Sequence, residues 1–403
     1  MSSNNNNPID KRYLVWRSVI ASIYDSFTNH NLVWPTLSCR QGRPKFTDEE
    51  STKICVLIGS LGTDGSAPNT LIATDCSVFK TLAASSSQIT EFDEENRSPY
   101  VKRHKAIIHP GEVNKIREVP QKANMVVTKT DIPEVLVWDF DAQPARHVIP
   151  GATDSRPDLV LVGHIDRAEF ALVTCPTEPY VISGGRDTSI VLWNLNDEAK
   201  LAKHRPRQKF AGNKYAVSPR GIFVGHTNTV EDIQFCPHSS NEFCSVGDDH
   251  KLLFWDIRVG VRPVIKVQAH KTHVHSVSWN SFDINLLLTG SIDKAVQMFD
   301  RRYIHNTNGQ IPVLRFMGHD GPVNNVQWHP NDPWTIVSAS NDSKGPGGGT
   351  LQVWRMMDLI YGEEEDEEER VDELHRRRPC TIDHDAETIR DMSLSLEFVP
   401  EEE

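Results

Sequence analysis

The sequence lacks a long hydrophobic run, since none of its 403 residues falls in a stretch of 18 consecutive apolar residues. A helix that spans a bilayer needs about 20 such residues. Residues 1–8 are polar and rich in Asn, so they also lack the apolar segment that is typical of secretion signals. We therefore predict that the chain neither crosses a membrane nor enters the secretory pathway.

Cysteine is scarce, and its seven residues, at positions 39, 55, 76, 175, 236, 244 and 380, include no pair at the spacing of a zinc site. This pattern favours a reduced compartment, the cytosol or the nucleus, over a disulfide framework. The Gly-rich segment 345–349 lacks the Gly-Lys-Ser/Thr ending of a phosphate-binding loop. We therefore expect no metal ion and no cofactor.

Positive charge is in deficit, and the net charge at pH 7 is −12. Residues 363–373 contribute −8 and residues 401–403 contribute −3, which leaves −1 for the rest of the chain. A run of like charges is typical of a disordered tail, and it also attracts basic partners such as histones. We interpret the basic insertion at 196–224 as a solvated loop and expect no sequence-specific binding to nucleic acid.

The chain does contain a repeat, which is clearest in residues 225–256, GHTNTVEDIQFCPHSSNEFCSVGDDHKLLFWD. His226 precedes Trp255 by 29 residues, and Ser245 and Asp249 precede it by 10 and 6. Short apolar runs alternate with turn residues between these points, which favours antiparallel strands. The Trp-Asp ending is the signature of a WD repeat.

The same spacing occurs five times, with Phe in place of Trp in the fourth copy and an insertion of six residues in the fifth. In the first copy Asp131 precedes Trp138 by 7 residues, so we expect a turn that is one residue longer. The five sets are His109, Thr128, Asp131 and Trp138; His164, Ser183, Asp187 and Trp193; His226, Ser245, Asp249 and Trp255; His270, Thr289, Asp293 and Phe299; and His319, Ser338, Asp342 and Trp354.

A His, a Ser or Thr and an Asp at fixed spacing could indicate a hydrolase. A catalytic triad, however, is one constellation at one pocket, whereas this set recurs and each copy ends in a large aromatic residue. The sets resemble those of WD-repeat proteins, which implies a structural hydrogen-bond network from Asp to His, to Ser/Thr, to the Trp indole. We predict that the protein is not an enzyme, because the sequence offers no single nucleophile, metal cluster or cofactor loop.

We predict an all-β fold, a WD-repeat β-propeller in which six blades can be counted. The irregular region 42–100 is interpreted as a degenerate first blade with strands at 54–58 and 70–74, and residues 36–40 as the strand that closes the last blade. Four segments are expected: a disordered N-terminus at 1–9, a helix with its exit at 10–35, the propeller at 36–357, and a short helix with an acidic disordered tail at 358–403.

The helix is predicted from apolar residues spaced three and four apart in residues 10–29, which share one face. Pro35 ends the helical pattern and begins an extended segment. Such a helix packs on its own domain, and its outer edge can also form one wall of a groove for a partner.

Several passages are more specific than the repeat: Tyr24-Asp-Ser-Phe, Leu32-Val-Trp-Pro-Thr-Leu-Ser-Cys, Ile107-Ile-His-Pro-Gly-Glu-Val-Asn, Cys175-Pro-Thr-Glu-Pro, Phe243-Cys-Ser-Val-Gly-Asp-Asp and Pro333-Trp-Thr-Ile-Val-Ser. Together they resemble the retinoblastoma-binding, MSI-type family of histone-binding WD-repeat proteins, including its plant flowering-time members. The resemblance implies a nuclear, non-enzymatic subunit of repressive chromatin complexes, of the histone deacetylase or Polycomb type, with core histones as partners.

The resemblance also implies two binding surfaces. One is a side groove that holds a histone helix, and it falls on Trp16, Ile20, Ile23, Tyr24, Phe27, Leu359, Ile360 and Tyr361. The other is an acidic top face for basic peptides, and it falls on Glu112, Glu169, Glu231 and Asp232.

The family propeller has seven blades, one more than the six counted in this chain. Residues 318–328 resemble the start of the sixth family blade, and residues 333–354 resemble the end of the seventh. We therefore expect about one blade, together with the acidic groove loop of the family, to be absent near Pro330.

Residues 255–258, Trp-Asp-Ile-Arg, also match the WDxR motif of propellers that dock onto an adaptor of cullin-RING ubiquitin ligases. The motif assigns the docking contact to Asp256 and Arg258. An alternative function is therefore that of a substrate receptor for such a ligase.

Overall fold

A computed structural model describes residues 36–47, 51–59, 67–79, 101–167, 170–197, 216–304, 312–341 and 350–355. These residues form 24 β-strands, and in this part of the chain there is no helix, so none that could span a membrane. The strands form six sheets built from antiparallel hairpins, which confirms the predicted all-β fold.

The chain divides into two compact units, one holding Met1–Cys175, Pro179–Ser183 and Val191–Arg220, the other holding the remainder. The first unit begins with a four-stranded sheet of β1 (Cys39–Thr47), β2 (Ser51–Gly59), β3 (Thr70–Phe79) and β4 (Val101–Ile108). The second sheet contains β5 (Lys115–Val119), β6 (Lys122–Lys129), β7 (Val135–Asp139) and β8 (Leu159–Leu161). The third contains β9 (Leu172–Thr174), β10 (Tyr180–Gly184) and β11 (Ser189–Asn194), and the boundary between the units passes through it. A two-residue strand, β12 (Ala216–Val217), pairs in parallel with β8 at the edge of the second sheet.

β13 (Gly221–Val224) is the fourth strand of the third sheet. The fourth sheet contains β14 (Val230–Phe235), β15 (Glu242–Gly247), β16 (Lys251–Asp256) and β17 (Ile265–Gln268). The fifth contains β18 (Val274–Trp279), β19 (Leu286–Ser291), β20 (Val296–Asp300) and β21 (Leu314–Phe316). The sixth contains β22 (Val323–Trp328), β23 (Thr335–Ser340) and β24 (Thr350–Arg355).

The core consists of apolar side chains held between neighbouring sheets. Within the first unit, Leu57, Leu71 and Ile107 of the first sheet pack with Ile116 and Trp138 of the second. The middle strands are rich in Val, Leu and Ile, and β15 and β19 are buried on both faces except at Glu242. Near-continuous apolar runs of this kind are expected of strands that are covered on both sides.

Three hairpin turns share one backbone conformation. Thr188, His250 and Lys294 have φ values of 62°, 67° and 68°, in the left-handed region that non-glycine residues rarely adopt. Each follows the Asp of a repeat, and each donates its backbone N–H to a carbonyl three residues earlier. The repeat thus fixes the backbone turn as well as the side chains.

The first sheet confirms one prediction and corrects another. Strands occur at 51–59 and 70–79, which confirms that the irregular region carries a four-stranded blade. The prediction that residues 36–40 close the last blade is wrong, because Cys39 pairs with Ile58 and Arg40 with Leu57 inside the first sheet. Only three residues separate β1 from β2, and such a local hairpin costs less loop entropy than a contact with the far end of the repeat array.

Polar side chains of the innermost strands join consecutive sheets. In the fourth sheet, Asp232 and Gln234 accept hydrogen bonds from the backbone N–H groups of Val277 and Trp279, at 3.1 and 2.6 Å. In the fifth sheet, the hydroxyls of Ser276 and Ser278 do the same for Val326 and Trp328, at 3.2 and 3.0 Å. Inner-strand N–H groups that face no strand partner are satisfied in this way.

The first unit has the same type of contact between sheets: the hydroxyl of Ser38 accepts a hydrogen bond of 3.0 Å from the N–H of Ile116. Two residues further along the chain, Arg40 forms an ion pair with Glu118 at 3.0 Å. These contacts make β1 the innermost strand of the first sheet.

The sixth sheet spans the junction where a blade was expected to be absent. Val326 pairs with Ser338 and Trp328 with Ile336, so residues on both sides of the junction belong to one regular hairpin. The turn is stabilised by Asp332, which accepts hydrogen bonds from the N–H of Trp334 at 3.0 Å and the hydroxyl of Thr335 at 2.7 Å. The junction is therefore an ordinary turn within a blade.

Candidate functional site

The repeated His, Ser and Asp of the fourth sheet form one buried hydrogen-bond chain. Nδ1 of His226 lies 3.0 Å from Oδ1 of Asp249, and its Nε2 lies 2.7 Å from the hydroxyl of Ser245. The same hydroxyl accepts the indole N–H of Trp255 at 2.8 Å. The His226 ring is fully enclosed, so the chain satisfies polar groups that would otherwise be buried without partners.

The fifth sheet repeats this geometry with one change. Nδ1 of His270 lies 3.0 Å from Oδ2 of Asp293, and its Nε2 lies 2.7 Å from the hydroxyl of Thr289. Phe299 replaces Trp and offers no indole N–H, yet it is as buried as the Trp residues of the other copies. The last position of the repeated set is therefore buried whether or not its side chain can donate a hydrogen bond.

Burial and hydrogen bonding act in opposite directions on these two carboxylates. Burial by itself raises the pKa of Asp249, but the hydrogen bond and charge of His226 outweigh it and leave the pKa below its ordinary value of 3.8. Asp293 has the same balance with His270 as the partner, and its pKa is also lowered.

The second sheet forms the network in part. His109 Nε2 and the Trp138 indole both meet the hydroxyl of Thr128, at 2.9 and 2.8 Å. Nδ1 of His109 lies 2.9 Å from the carbonyl of Gly111, and Asp131 accepts a hydrogen bond from the hydroxyl of Thr130. The contact predicted between Asp131 and His109 is thereby replaced, because the turn is one residue longer.

The third sheet departs from the predicted pattern. The Trp193 indole donates to the carbonyl of Val162 at 2.9 Å and not to the Ser183 hydroxyl, which corrects that contact of the predicted set. His164 Nε2 lies 3.2 Å from the carbonyl of Ser183. Asp187 accepts the N–H and hydroxyl of Ser189 within its own turn. A buried donor needs one acceptor, and here the nearest acceptors are carbonyls.

In the sixth sheet His319 Nε2 lies 2.7 Å from the hydroxyl of Ser338. Asp342 lies outside the described residues, and the side chain of Trp354 is likewise not described. Across the described parts of the chain, no cluster of three or more His, Cys, Asp and Glu residues could hold a metal ion. In the copies of the second, fourth, fifth and sixth sheets, the His ring is hydrogen-bonded to the buried Ser or Thr hydroxyl of the same sheet.

Asp232 is one of the four carboxylates predicted to face a ligand on the top face, but it is buried between two sheets. It is 8% exposed, and its Oδ2 accepts the N–H of Val277, so it joins two sheets instead of facing a ligand. Glu112 and Glu231 are half-buried and retain access to solvent. Glu169 lies outside the described residues.

Three residues of the second unit form a polar cluster that the spacing did not reveal. His273 Nδ1 lies 2.7 Å from Oδ1 of Asp248, and the rings of His273 and His250 have centroids 5.4 Å apart. Asp248 immediately precedes the Asp of the repeat, and His250 occupies the left-handed turn position. The Gly-Asp-Asp-His sequence at 247–250 indicates polar residues in a turn, but it does not predict that His273 of the next repeat would contact them.

The WDxR residues are held in a fixed arrangement on the surface. Two nitrogens of Arg258 bind the carboxylate of Asp256, at 3.0 and 2.7 Å, and these hydrogen bonds lower the pKa of Asp256. The side chain of Arg258 remains 63% exposed. Asp300 and Arg302 repeat the arrangement in the fifth sheet, with the Arg302 side chain 55% exposed.

The residues predicted for the histone-helix groove all lie outside the described part of the chain. They are Trp16, Ile20, Ile23, Tyr24 and Phe27 near the N-terminus and Leu359, Ile360 and Tyr361 after the last strand.

Sequence comparison supplies independent information on the fold and on the N-terminal region. Residues 156–194, 217–256, 261–300 and 310–355 each match the sequence model described as WD domain, G-beta repeat. Residues 11–80 match the model that describes the histone-binding protein RBBP4 and the corresponding component of the CAF1 complex. The chain is also 43% identical over 426 residues to the WD-40 repeat-containing protein MSI4 of Arabidopsis thaliana, covering 89% of this chain and 84% of that protein.

The WD-repeat matches and the six antiparallel sheets confirm a WD-repeat β-propeller. The chain belongs to the RBBP4/MSI-type family of histone-binding WD-repeat proteins, as predicted from its specific passages. The family model that matches residues 11–80 describes histone-binding proteins.

Proposed function

We propose that this protein is a nuclear, non-enzymatic histone-binding scaffold of repressive chromatin complexes, of the histone deacetylase or Polycomb type. The observation that carries the proposal is the match of residues 11–80 to the histone-binding model, joined to a propeller of the same family. The proposal includes regulation of plant transcription and of flowering time, as the resemblance of the sequence passages implies; the 43% identity to MSI4 of Arabidopsis thaliana supports only membership of the same family.

The first binding surface of the proposal is the apolar groove predicted at the N-terminal residues 10–29. Trp16, Ile20, Ile23, Tyr24 and Phe27 lie within the matched residues 11–80. A groove of this kind holds the apolar face of an amphipathic helix, and the energy comes from burial of a few anchoring side chains. Its ligand is a helix of a core histone.

The second binding surface is the acidic face around Glu112 and Glu231. Both carboxylates retain access to solvent, whereas Asp232 is committed to Val277 and does not belong to this surface. Carboxylates near the surface attract the Lys and Arg residues of histone tails, and the attraction weakens as salt screens it.

Capture of purified core histones by the full-length chain at physiological salt tests the proposal. Ile20→Glu combined with Ile23→Glu is expected to reduce retention at least tenfold, because two charges then lie in an apolar groove. Ile149→Glu is the matched control, since Ile149 is 58% exposed and belongs to neither proposed surface. Failure of the wild-type chain to retain histones would overturn the proposal.

A second candidate function is favoured by the geometry of Arg258. An exposed guanidinium that is held by its own carboxylate partner is pre-arranged for a bidentate contact with another protein. This supports docking onto the adaptor of a cullin-RING ubiquitin ligase, with this chain as substrate receptor. Arg258→Ala is expected to abolish adaptor binding, and unchanged binding by Arg258→Ala, both alone and combined with Arg302→Ala, would exclude the role.

A further inference from the structure

The polar cluster of the second unit pairs one carboxylate with one imidazole. Nδ1 of His273 lies 2.7 Å from Oδ1 of Asp248, and the two side chains are 44% and 21% exposed. An ionised carboxylate only accepts hydrogen bonds, so Nδ1 carries the hydrogen. An imidazole that is accessible to water gains a second proton near about pH 6.5. The pair therefore carries one negative charge before that proton binds and no net charge afterwards.

The backbone holds both members of the pair in place. The N–H of Asp248 donates to the carbonyl of Thr229 at 2.9 Å. The carbonyl of His273 accepts the hydroxyl of Ser291 at 2.6 Å and the N–H of Ile292 at 3.1 Å. Protonation of His273 therefore changes the charge of the pair while its position stays fixed.

Two further imidazoles lie beside this pair. The ring centroid of His250 is 5.4 Å from that of His273, so a charge on one ring disfavours a charge on the other. Burial lowers the pKa of His275, which also faces Asp248 and His273 and is hydrogen-bonded to the amide of Asn324. His275 therefore stays neutral where an ordinary imidazole is charged, and the proton is shared between His273 and His250.

The other charged groups on the adjacent turns and strands keep their charge between about pH 5.5 and 7.5. The pKa values of Asp249 and Asp293 are lowered by their contacts with His226 and His270, so both stay ionised. Lys and Arg side chains stay charged in this range. Those on the same turns and strands are Lys251, Lys271, Lys294 and Arg315.

The pair lies at the same end of the fourth sheet as Glu231. Val230 pairs with Gly247, so Glu231 and Asp248 are each one residue away from this pair. Both carboxylates retain access to solvent. The acidic face at Glu231 therefore contains a second carboxylate, whose charge is cancelled when His273 binds a proton.

We propose that Asp248 is one of the carboxylates that bind basic peptides on this acidic face, and that protonation of His273 weakens the binding. The inference rests on the proposed function of the face. While His273 is neutral, Asp248 keeps its negative charge, and its second oxygen can accept a hydrogen bond from a Lys or Arg side chain of the peptide. A protonated His273 supplies the opposite charge in place of the peptide, so affinity falls as the pH falls.

The affinity of the full-length chain for a synthetic peptide of Arg, Lys, Gly and Ala with blocked termini, measured by fluorescence anisotropy at constant low salt, tests the inference. The charge of this peptide is the same at about pH 7.5 and about pH 5.5. The wild-type chain is expected to bind at least about threefold more weakly at the lower pH, because one negative charge is cancelled next to the peptide cations.

His250→Asn combined with His273→Gln is expected to match the wild type at the higher pH and to lose the difference between the two pH values. Asn tolerates the left-handed turn at position 250, and the Gln amide can still donate to Asp248. His238→Gln is the matched control, since His238 is an exposed histidine of the same unit that contacts the carbonyl of Ser281, and it should keep the pH dependence of the wild type.

Asp248→Asn is the second test variant and is expected to bind the peptide more weakly than the wild type at the higher pH. Equal wild-type affinity at the two pH values would overturn the inference, and so would a double variant that weakens as the wild type does or a wild type that does not bind the peptide. Capture of core histones is measured separately. Retained histones with peptide binding that does not depend on pH would refute this inference and leave the proposed function standing.

Discussion

The hydroxyl of Ser245 lies 2.7 Å from Nε2 of His226, and it also receives the indole N–H of Trp255, which lies ten residues further along the chain. The hydroxyl of one small side chain thus satisfies two large buried groups, His226 in the segment before β14 and Trp255 in β16. The same relation between His270 and Thr289 shows that the contact belongs to the repeat.

Replacement of Ser245 by Ala is expected to lower the free energy of unfolding by about 2–4 kcal/mol. The loss arises because Nε2 of His226 and the indole N–H of Trp255 would both be left buried without an acceptor or donor, at about 1–3 kcal/mol each, while Nδ1 of His226 keeps Asp249. Urea denaturation measures the change. Ser239→Ala is the matched control, since its hydroxyl only accepts the N–H of Asn241 in a half-buried turn, and a loss as large as that of Ser245→Ala would contradict the network.

Acid is expected to weaken the second unit through Asp249 and Asp293. Their pKa values are lowered in the folded protein, so the stability that they contribute is present above their unfolded pKa of about 4 and is lost as the pH falls through the lower folded value. Asp249→Asn should therefore destabilise the protein at pH 7, with a smaller difference from wild type near pH 3. Denaturation curves at the two pH values measure this, and an equal difference at both would contradict the assignment.

Asp232 and Glu231 are neighbours with different roles, and a pair of variants separates them. Asp232→Ala removes the acceptor for the N–H of Val277 and is expected to cost about 1–3 kcal/mol of stability. Glu231→Gln should leave stability within about 0.5 kcal/mol and reduce the affinity for basic histone tails at low salt. Thermal unfolding and peptide binding are measured on both variants. Weaker peptide binding by Asp232→Ala with unchanged stability would contradict this assignment and place Asp232 on the ligand-binding face.

Gly247 ends β15 where the chain turns toward Asp249. A Cβ atom there would lie inside van der Waals contact with the carbonyl oxygen of Thr229, whose position is fixed by the N–H of Asp248 at 2.9 Å. Gly247→Ala is expected to destabilise the protein by about 2 kcal/mol or more, because backbone must move. Gly221→Ala is the control, since its Cβ would meet only the Phe223 ring at 3.2 Å, and equal losses would contradict the argument.

The fold was predictable because the repeat encodes local contacts. The His of each set lies 19 residues before its Ser or Thr, and this spacing gives a close contact in every described copy, to the hydroxyl in four and to the Ser183 carbonyl in the third. The degenerate first blade was predictable as well, since apolar runs such as 54–58 favour strands regardless of the repeat.

Features that depend on a neighbouring sheet were not predictable. Nothing in the local sequence of Asp232 indicates that Val277, 45 residues later, would bury its carboxylate. The hydrogen bond from the Trp193 indole to the Val162 carbonyl was not predictable either, because the position of a carbonyl depends on backbone geometry and not on residue type. The strand at Cys39 was assigned to the wrong sheet because strand character alone does not choose a partner.

The most direct test of the account is the affinity of the full-length chain for a refolded complex of core histones, measured by titration calorimetry. The account predicts saturable binding by the wild-type chain, at least tenfold weaker binding by Ile20→Glu/Ile23→Glu, and unchanged binding by Ile149→Glu. Absence of binding by the wild-type chain, or equal affinity of all three proteins, would contradict it.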